Sequence, residues 1–353
     1  MAKRVLIAMS GGVDSSAAAL LLQRAGYDCA GAMMKLWDGG EAESGCCSAD
    51  DAEDARAAAY RVGMSFYVFN EQERFARDVM DRFVAEYQAG RTPNPCIDCN
   101  RCLKFGAFLD RALALGYDYI ATGHYARVSR EDGRWHLLRG RDRGKDQSYV
   151  LYQLTQTQLS HLLLPVGEYD KSAIRAMAEE AGLLNARKRD SQDICFVPDG
   201  DYVGFLRRYG KVTLTEGDFV DKTGRVLGRH RGLVAYTTGQ RKGLGVSAGE
   251  RRYVISKDAA ANTVLLGDDA ELYAAELTAA NVNWIEPEPT GALRVTAKTR
   301  YSQRESPATV TPLGGGTARV VFDTPQRAIT AGQAVVFYDG ERVVGGGTIE
   351  RSG

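Results

Sequence analysis

Two stretches of this 353-residue chain set reactive side chains at spacings that suggest chemistry. The first is Ser10-Gly11-Gly12-Val13-Asp14-Ser15-Ser16, which follows the apolar run Val5-Leu6-Ile7-Ala8-Met9 and leads into an alanine- and leucine-rich stretch, 17–25. Such a run fits a buried parallel strand, and the stretch after it fits a helix. Gly11 and Gly12 let the backbone come close to an anion, the free N–H groups of the first helical turn point at it, and Ser10, Ser15 and Ser16 add hydroxyl donors. Asp14 is the odd member. A carboxylate beside bound phosphate repels it unless a cation lies between, so Asp14 reads as a ligand of Mg²⁺, direct or through water. The plainer alternative is a strand-to-helix turn with a serine cap. The second stretch offers sulfur. Cys96-Ile97-Asp98-Cys99-Asn100 follows Gly90-Arg91-Thr92-Pro93-Asn94-Pro95, whose two prolines read as a loop, and Cys195 lies far away in Asp190-Ser191-Gln192-Asp193-Ile194-Cys195-Phe196. Two distant thiols can serve as nucleophile and resolving partner. The thiolate is the reactive form, and Arg101 and Lys104, or Lys188 and Arg189, would lower its pKa.

What the first stretch lacks is also informative. No GxxxxGK[ST] motif occurs, so the usual loop for chemistry at the β- and γ-phosphates is absent. A serine–glycine cradle without that lysine suits enzymes that hold the pyrophosphate half of ATP and cleave at the α-phosphate, activating a carbonyl oxygen as an adenylate.

Positioning these groups requires a sheet. The first 120 residues alternate strand-like and helix-like segments: Val5–Met9, helix, Cys29–Leu36, helix Ala49–Arg61, Ser65–Asn70, helix Glu73–Tyr87, helix Lys104–Leu115 and strand Tyr117–Thr122. That is the pattern of an α/β doubly wound parallel sheet, whose ligands gather at the carboxyl ends of strands. The glycine loop and Gly123-His124 both fall at such ends. Trp135–Arg139 reads as a hairpin strand, Ser148–Leu154 as helix-prone, and Lys171–Ala181 as an amphipathic helix with Ile174, Met177 and Ala178 on one face, stopped by Gly182. Beyond Asp199 the chain turns glycine-punctuated and β-branched, giving a small central module. From about Ala270 the alternating segments Thr278–Ile285, Leu293–Thr299, Ala308–Val310, Ala318–Asp323 and Gln333–Tyr338, with turns between, predict a C-terminal all-β barrel. The expected division is 1–203, 204–269 and 270–353.

Composition is that of an ordinary globular protein, 44% hydrophobic and 25% charged, which excludes disordered and collagen-like classes. No run approaches the roughly eighteen apolar residues of a membrane span, and the N-terminus leads into a strand rather than a signal-peptide core, so the expectation is a cytoplasmic protein without membrane contact. Seven cysteines, an odd number, argue for individual thiol roles over a disulfide scaffold. The net charge of zero hides an uneven distribution. Residues 101–252 hold 26 Lys and Arg against 18 Asp and Glu, with seven cations between Arg127 and Lys145, a segment suited to a polyanion. Cys29 reads as core, and Cys102 as a helix-face residue beside the reactive loop. Cys46-Cys47 lacks the further ligands a zinc site needs, His136, His161 and His230 have no partner motif, and Gly345-Gly346-Gly347 reads as a bulge or close-packed turn.

Ser10-Gly11-Gly12-Val13-Asp14-Ser15, after a strand and opening a helix, resembles the pyrophosphate-loop signature of the N-type ATP pyrophosphatases. Nearly the whole chain is similar to one branch of them, the tRNA-specific 2-thiouridylase family. The resemblance rests on Gly90 to Pro95, Cys99-Asn100 with Lys104-Phe105, Ala121-Thr122-Gly123-His124-Tyr125, Lys145-Asp146-Gln147-Ser148-Tyr149, Ser191 to Phe196, Thr238 to Gly245, Arg300-Tyr301 and Gly332-Gln333.

It implies an adenine-nucleotide α-hydrolase-like N-terminal domain and ATP- and Mg²⁺-dependent 2-thiolation of the wobble uridine of tRNAs such as those for lysine, glutamate and glutamine. Ala8, Met9, Ser10, Gly11, Gly12, Val13, Asp14 and Ser15, with Met34 and Gly123, would bind ATP. Cys195 would take a persulfide sulfur from a donor protein, and Cys99 would be the nucleophile that later forms a disulfide with it. Asn94, Pro95 and Cys96 would meet the target base; His124, Lys145, Asp146, Gln147, Arg300, Tyr301 and Gln333 would touch tRNA. One departure stands out: some family members carry Asp, a potential base, where this chain has Cys96. The resulting Cys-x-x-Cys, with Cys195, offers three thiolates that could hold a [4Fe–4S] cluster with one iron open to sulfide. The rivals are another adenylating synthetase of the pyrophosphate-loop type, adding nitrogen instead of sulfur, and a tRNA-binding module without catalysis.

Overall fold

A computed structural model describes residues 2–37, 49–188, 194–246 and 251–352. Cys46, Cys47, Arg189 and the first part of the Ser191–Phe196 block lie outside the described residues. The chain divides into two compact units. Unit 1 comprises 1–80, 95–200 and 341–343; unit 2 comprises 81–94, 201–340 and 344–353.

Unit 1 is built on strands β1 (Arg4–Ala8), β2 (Asp28–Lys35) and β3 (Ser65–Asn70), joined by helices α1 (Val13–Arg24) and α2 (Ala49–Arg61). After β3 come α3 (Gln72–Phe75), a π-helical stretch Ala76–Met80 and α4 (Asp81–Gln88), the last belonging to unit 2. Then follow α5 (Pro95–Asp98), a second π-helical stretch Cys99–Ala107, and α6 (Phe108–Ala114). Strand β4 (Tyr119–Ala121) precedes the hairpin β5 (Ala126–Glu131) and β6 (Arg134–Arg139), whose Asp132-Gly133 turn has positive φ at both residues, as a tight hairpin requires. Helix α7 (Gln156–Ser160), strand β7 (Leu162–Leu163) and helix α8 (Lys171–Glu180) complete the unit.

The sheet order is β3-β2-β1-β4-β7, every pairing parallel. The chain winds from β1 outward to β3 and returns on the other side of β1 at β4. This reversal is the topological switch point where such sheets bind ligands. Val5, Leu6 and Ile7 have no exposed surface, and the core over Val5 and Ile7 is built from the alanine-rich faces of α1 and α2 with Val62, Met64 and Leu183. Small side chains let these helices lie close to the sheet.

The cysteine region departs from the expected loop. Pro95 opens a helix instead of breaking one, because proline is well suited to a first helical position where its missing N–H would have no partner. The helix then widens to π geometry through Cys99–Ala107. Gly106 permits the widening, since a Cβ there would lie 2.9 Å from the Arg101 carbonyl oxygen. The Glu73–Tyr87 segment is likewise helical but broken by π turns.

In unit 2, α9 (Tyr202–Arg208) precedes a four-stranded sheet of β8 (Gly217–Val220), β9 (Val226–His230), β10 (Tyr253–Asp258) and β11 (Thr263–Gly267), in the order β10-β11-β8-β9. Helix α4 packs within this unit. Tyr87 stacks on Tyr202 at 5.0 Å, Phe83 meets Phe205 at 6.0 Å, and the Tyr209 hydroxyl donates to Asp81 at 2.7 Å. Strands β12 (Tyr273–Trp284), β13 (Leu293–Lys298), β14 (Ser306–Gly314), β15 (Thr317–Arg327), β16 (Ala334–Asp339) and β17 (Arg342–Ser352) follow. The antiparallel pairing of β12 with both β15 and β17 closes a barrel. Gly345 and Gly346 lie inside β17 at a register shift, not in a turn. A Cβ on Gly345 would strike the Asn283 carbonyl oxygen, so the glycine lets two backbones approach.

Candidate functional site

The glycine loop sits at the carboxyl end of β1, and Gly12 is the N-cap of α1. The Ser15 hydroxyl accepts the Ser10 N–H at 3.2 Å and donates to the Gly12 carbonyl at 3.0 Å, while Ser16 donates to the same carbonyl. Gly11 has φ +74°, and a Cβ there would strike the Asp51 backbone carbonyl; both facts require glycine. Ala8 is half-buried, Met9 and Val13 are buried, and Ser10 is exposed, so Ser10 faces outward over an apolar floor. Met34, also buried, lies near the carboxyl end of β2.

Gly123 follows β4, beside β1. A Cβ at Gly123 would lie 2.6 Å from the Ser15 nitrogen and 2.7 Å from the Asp14 carbonyl carbon. The two sequence-predicted ATP elements are thus in contact.

Asp14 meets a cation, but one supplied by the chain. The Lys171 ammonium, from the first residue of α8, donates to both carboxylate oxygens at 2.7 and 2.8 Å, and the Tyr125 hydroxyl donates to Oδ1 at 2.7 Å. Both oxygens are engaged, and among the described residues no three His, Cys, Asp or Glu side chains group to hold a metal. As arranged, Asp14 does not fit a Mg²⁺ ligand. The carboxylate's need for a neighbouring cation was legible in the sequence; the identity of that cation, 157 residues away, was not. Asn185 was missed too. Its buried amide donates to the Gly11 carbonyl and to the Ser16 hydroxyl, both at 2.9 Å, tying the loop to the segment after α8. Lys188 donates to Asp51 at 2.7 Å and Asp54 at 2.6 Å; burial works against its charge, but the two carboxylates hold its pKa above the usual value.

Cys96 is exposed, Cys99 is buried at 8% exposure, and Cys102 and Cys195 are half-buried. Cys99 begins the π-helical stretch, which packs against α3. Phe196, beside Cys195, meets Phe75 of α3 edge to face at 5.6 Å. Both cysteine segments are therefore anchored to one helix of unit 1. The absence of a three-ligand group among the described residues means that Cys96, Cys99 and Cys195 do not stand assembled for an iron–sulfur cluster. Cys29 packs on the core, and burial, with Asp28 nearby, pushes its thiol up to about 11.

Several side chains expected at tRNA are spent on the fold. Asp146 accepts from Gly140 N at 3.0 Å and from the Ser148 backbone and hydroxyl, and Gln147 Oε1 accepts from Tyr125 N at 2.9 Å, so both shape their own loop. Lys145 is half-buried in the same loop. His124 is sealed at 8% exposure, with Nδ1 sharing a 2.7 Å hydrogen bond with Thr122 and its ring 5.7 Å from Phe105; burial, then Lys104, holds its pKa well below 6.5. In unit 2, Gln333 donates to the Thr92 carbonyl at 2.8 Å, and Thr92 N–H to the Ala331 carbonyl, which fixes the chain leading to half-buried Asn94. Arg300 donates to the Thr238 and Ala328 carbonyls and to Thr330, pinning the central sheet module to the barrel. Its neighbour Tyr301 is 43% exposed with Lys298 at 5.8 Å from the ring, a surface suited to base stacking. Among the other histidines, His161 bonds the Asp118 carbonyl and His230 the Asn262 carbonyl, and both serve the fold.

The family described as tRNA methyl transferase HUP domain matches residues 3–199, its PRC-barrel domain 203–268, and the aminomethyltransferase beta-barrel domain 274–349. A tRNA-specific 2-thiouridylase from Clostridioides difficile is 50% identical over 100% of this chain and 99% of its own. One from Moorella thermoacetica is 52% identical over 98% and 99%. Among solved structures, a 4-thiouridine synthetase–RNA complex with bound ATP aligns with 56% of this chain and 45% of that one at 13% identity and a TM-score of 0.34, too slight a likeness to carry argument. No helix among the described residues is long and apolar enough to cross a membrane. With half its residues identical across full-length relatives, the chain belongs to the tRNA-specific 2-thiouridylase family.

Proposed function

We propose that the protein uses ATP to replace the C2 oxygen of a tRNA wobble uridine by sulfur, in the cytoplasm. The observation that carries this reading is the apposition, within one compact unit, of a glycine–serine loop and Gly123 at the switch point of the sheet, together with the two anchored cysteine segments. Residues 8–15, Met34 and Gly123 bind the nucleotide. The uridine O2 attacks the α-phosphorus and pyrophosphate leaves, which turns a poor oxide leaving group into AMP. A persulfide on Cys195, loaded by a donor protein, then attacks C2 through its terminal sulfur and AMP departs. Cys99 attacks the Cys195 sulfur, the S–S bond of the persulfide breaks, and the electron pair stays with the new thione sulfur. The resulting Cys99–Cys195 disulfide needs an external thiol to reset it. Much of the barrier is removed by positioning and by fixed donors around the phosphates.

We assign the RNA to the basic middle of the chain, including Lys145, and to the exposed Tyr301. Asp146, Gln147, Arg300 and Gln333 shape those surfaces, and Asn94, Pro95 and Cys96 stand toward the target base. The modules 1–203, 204–269 and 270–353 then divide catalysis from RNA binding.

The test is nucleoside mass spectrometry after incubating the protein with Mg·ATP, a persulfide-loaded donor and unmodified tRNA. We expect 2-thiouridine from the wild type, and none from Cys99→Ser or Cys195→Ser, with tRNA-dependent pyrophosphate release retained in both. Full thiolation by Cys99→Ser overturns the relay, and incorporation of ammonia in place of sulfur favours the nitrogen-adding rival.

A further inference from the structure

The Lys171–Asp14 pair sits where neither stability nor local sequence preference would put it. Lys171 is 8% exposed, so its ammonium and the carboxylate it meets have given up much of their hydration, and ion pairs of this kind contribute little net stability. Lys171 is also the first residue of α8, the helix end whose dipole disfavours a cation. Asp14 is the second residue of α1, so α1 brings its own positive end to the same place. Around this point stand two helix N-termini, the glycine loop, the Ser10 hydroxyl and the Lys171 ammonium, with the carboxylate of Asp14 on the ammonium and that of Asp142 on the first backbone N–H of α8. What favours an anion here is the direction of the groups: two helix N-termini and an ammonium converge on the glycine loop.

The lysine is held rather than merely present. Asp14 takes its ammonium on both oxygens, the Tyr125 hydroxyl fixes Oδ1 of the same carboxylate, and the Tyr125 ring lies 5.7 Å from the ammonium. The Lys171 backbone N–H is in turn bonded to Asp142 at 3.1 Å, which fixes the start of α8. The loop that lacks the lysine of an ordinary phosphate-binding motif has one delivered from another helix.

We propose that Lys171 is the cation that meets the β- and γ-phosphates of ATP at this loop, and that Asp14 positions Lys171 rather than ligating a metal. The inference rests on reading the loop as the ATP site and names the residue that reads the pyrophosphate half. When the uridine oxygen bonds to the α-phosphorus, the bond to the bridging oxygen breaks and its electron pair goes to pyrophosphate. The Lys171 ammonium neutralises the charge that develops there.

AMP lacks the β- and γ-phosphates, so the nucleotides themselves provide the test. Calorimetric binding of AMP and of a non-hydrolysable α,β-methylene ATP analogue is compared in wild type, Lys171→Met, Lys171→Arg and Asp14→Asn, with thermal melts to establish folding. Lys171→Met weakens the analogue at least about tenfold and leaves AMP affinity within about twofold, and Lys171→Arg recovers part of the loss. In tRNA-dependent pyrophosphate release, Lys171→Met slows the wild-type rate by about 100-fold or more. Asp14→Asn slows it less, adds nothing further in the double variant, and leaves the Mg²⁺ concentration for half-maximal rate unchanged. Equal loss of AMP and analogue binding in Lys171→Met overturns the proposal, as does a tenfold rise in the Mg²⁺ requirement of Asp14→Asn. If the wild type binds the analogue but releases no pyrophosphate with tRNA, the adenylation reading fails, while the binding comparison still decides the role of Lys171.

Discussion

His124 shows how residue type and position can suggest a contact that the surroundings redirect. At a strand end next to Gly123 the family resemblance implies a contact with tRNA, yet the structure seals its ring against Phe105 and spends Nδ1 on Thr122. Burial is a property of the elements packed over it and could not be read from the residue's neighbours in sequence. The consequence is a neutral imidazole. Below about pH 6.5 the unfolded chain takes up a proton at this position that the folded protein refuses, so folding stability falls as pH drops toward the depressed folded value, and above 6.5 the group has no effect. Urea unfolding between pH 7.5 and about 5 is therefore expected to show a declining stability in the wild type and a shallower decline in His124→Asn. An identical slope in the two proteins would rule out a buried neutral His124. Asp14 carries the complementary lesson. Its type suggests a Mg²⁺ ligand in the sequence, whereas the structure sets the Lys171 ammonium against it, and no spacing rule connects the two.

At the scale of elements, β1 to β4, β6 and β12 to β16 were legible as short apolar or alternating runs, whereas β5, β7 to β11 and β17 were not. The Lys171–Glu180 helix, with Ile174 and Ala178 buried and Gly182 at φ +69° after it, follows its pattern closely. The Cys99 segment was not legible. A wide helix shifts side chains away from the 3.6-residue repeat, and the prolines before it look like breakers until the first helical position is recognised. Gly106 offers the means to test whether this geometry matters. A Cβ at Gly106 would press on the Arg101 carbonyl at 2.9 Å, and that oxygen belongs to the turn that follows Cys99. Gly106→Ala must shift that turn and is expected to cost about 1–3 kcal/mol of stability, measured by denaturant unfolding. It should lower thiolation while sparing tRNA-dependent pyrophosphate release, since the ATP loop lies on other elements. Unchanged thiolation would show that the wide turn is packing alone.

The whole molecule follows the expected order of a parallel sheet, a small β module and a barrel, but its compact units do not follow the chain in simple succession. Residues 81–94 depart from unit 1 and count with unit 2. The sequence gives no hint of this, because α4 reads as the natural end of a helix begun at Glu73, and the partners of its aromatic face begin more than a hundred residues later. Phe83 and Tyr87 are 1% and 5% exposed, Tyr87 stacks on Tyr202, Phe83 meets Phe205, and Lys257 stands 5.9 Å from the Tyr87 ring. Each buried aromatic contributes roughly 1.5–3 kcal/mol relative to exposure, so stripping the face from its partners removes several kcal/mol, a large share of a domain's net stability. A fragment ending at residue 200 keeps α4 and loses every one of those partners. We expect it to bind a hydrophobic dye, to elute as aggregates in size-exclusion chromatography, and to lack the cooperative urea transition of the full chain. Replacing Phe83 and Tyr87 by polar residues within the fragment should reduce both dye binding and aggregation, because the fault lies in the uncovered face and not in the parallel sheet. A fragment that unfolds cooperatively without those replacements would mean that α4 has a second set of partners in the N-terminal unit.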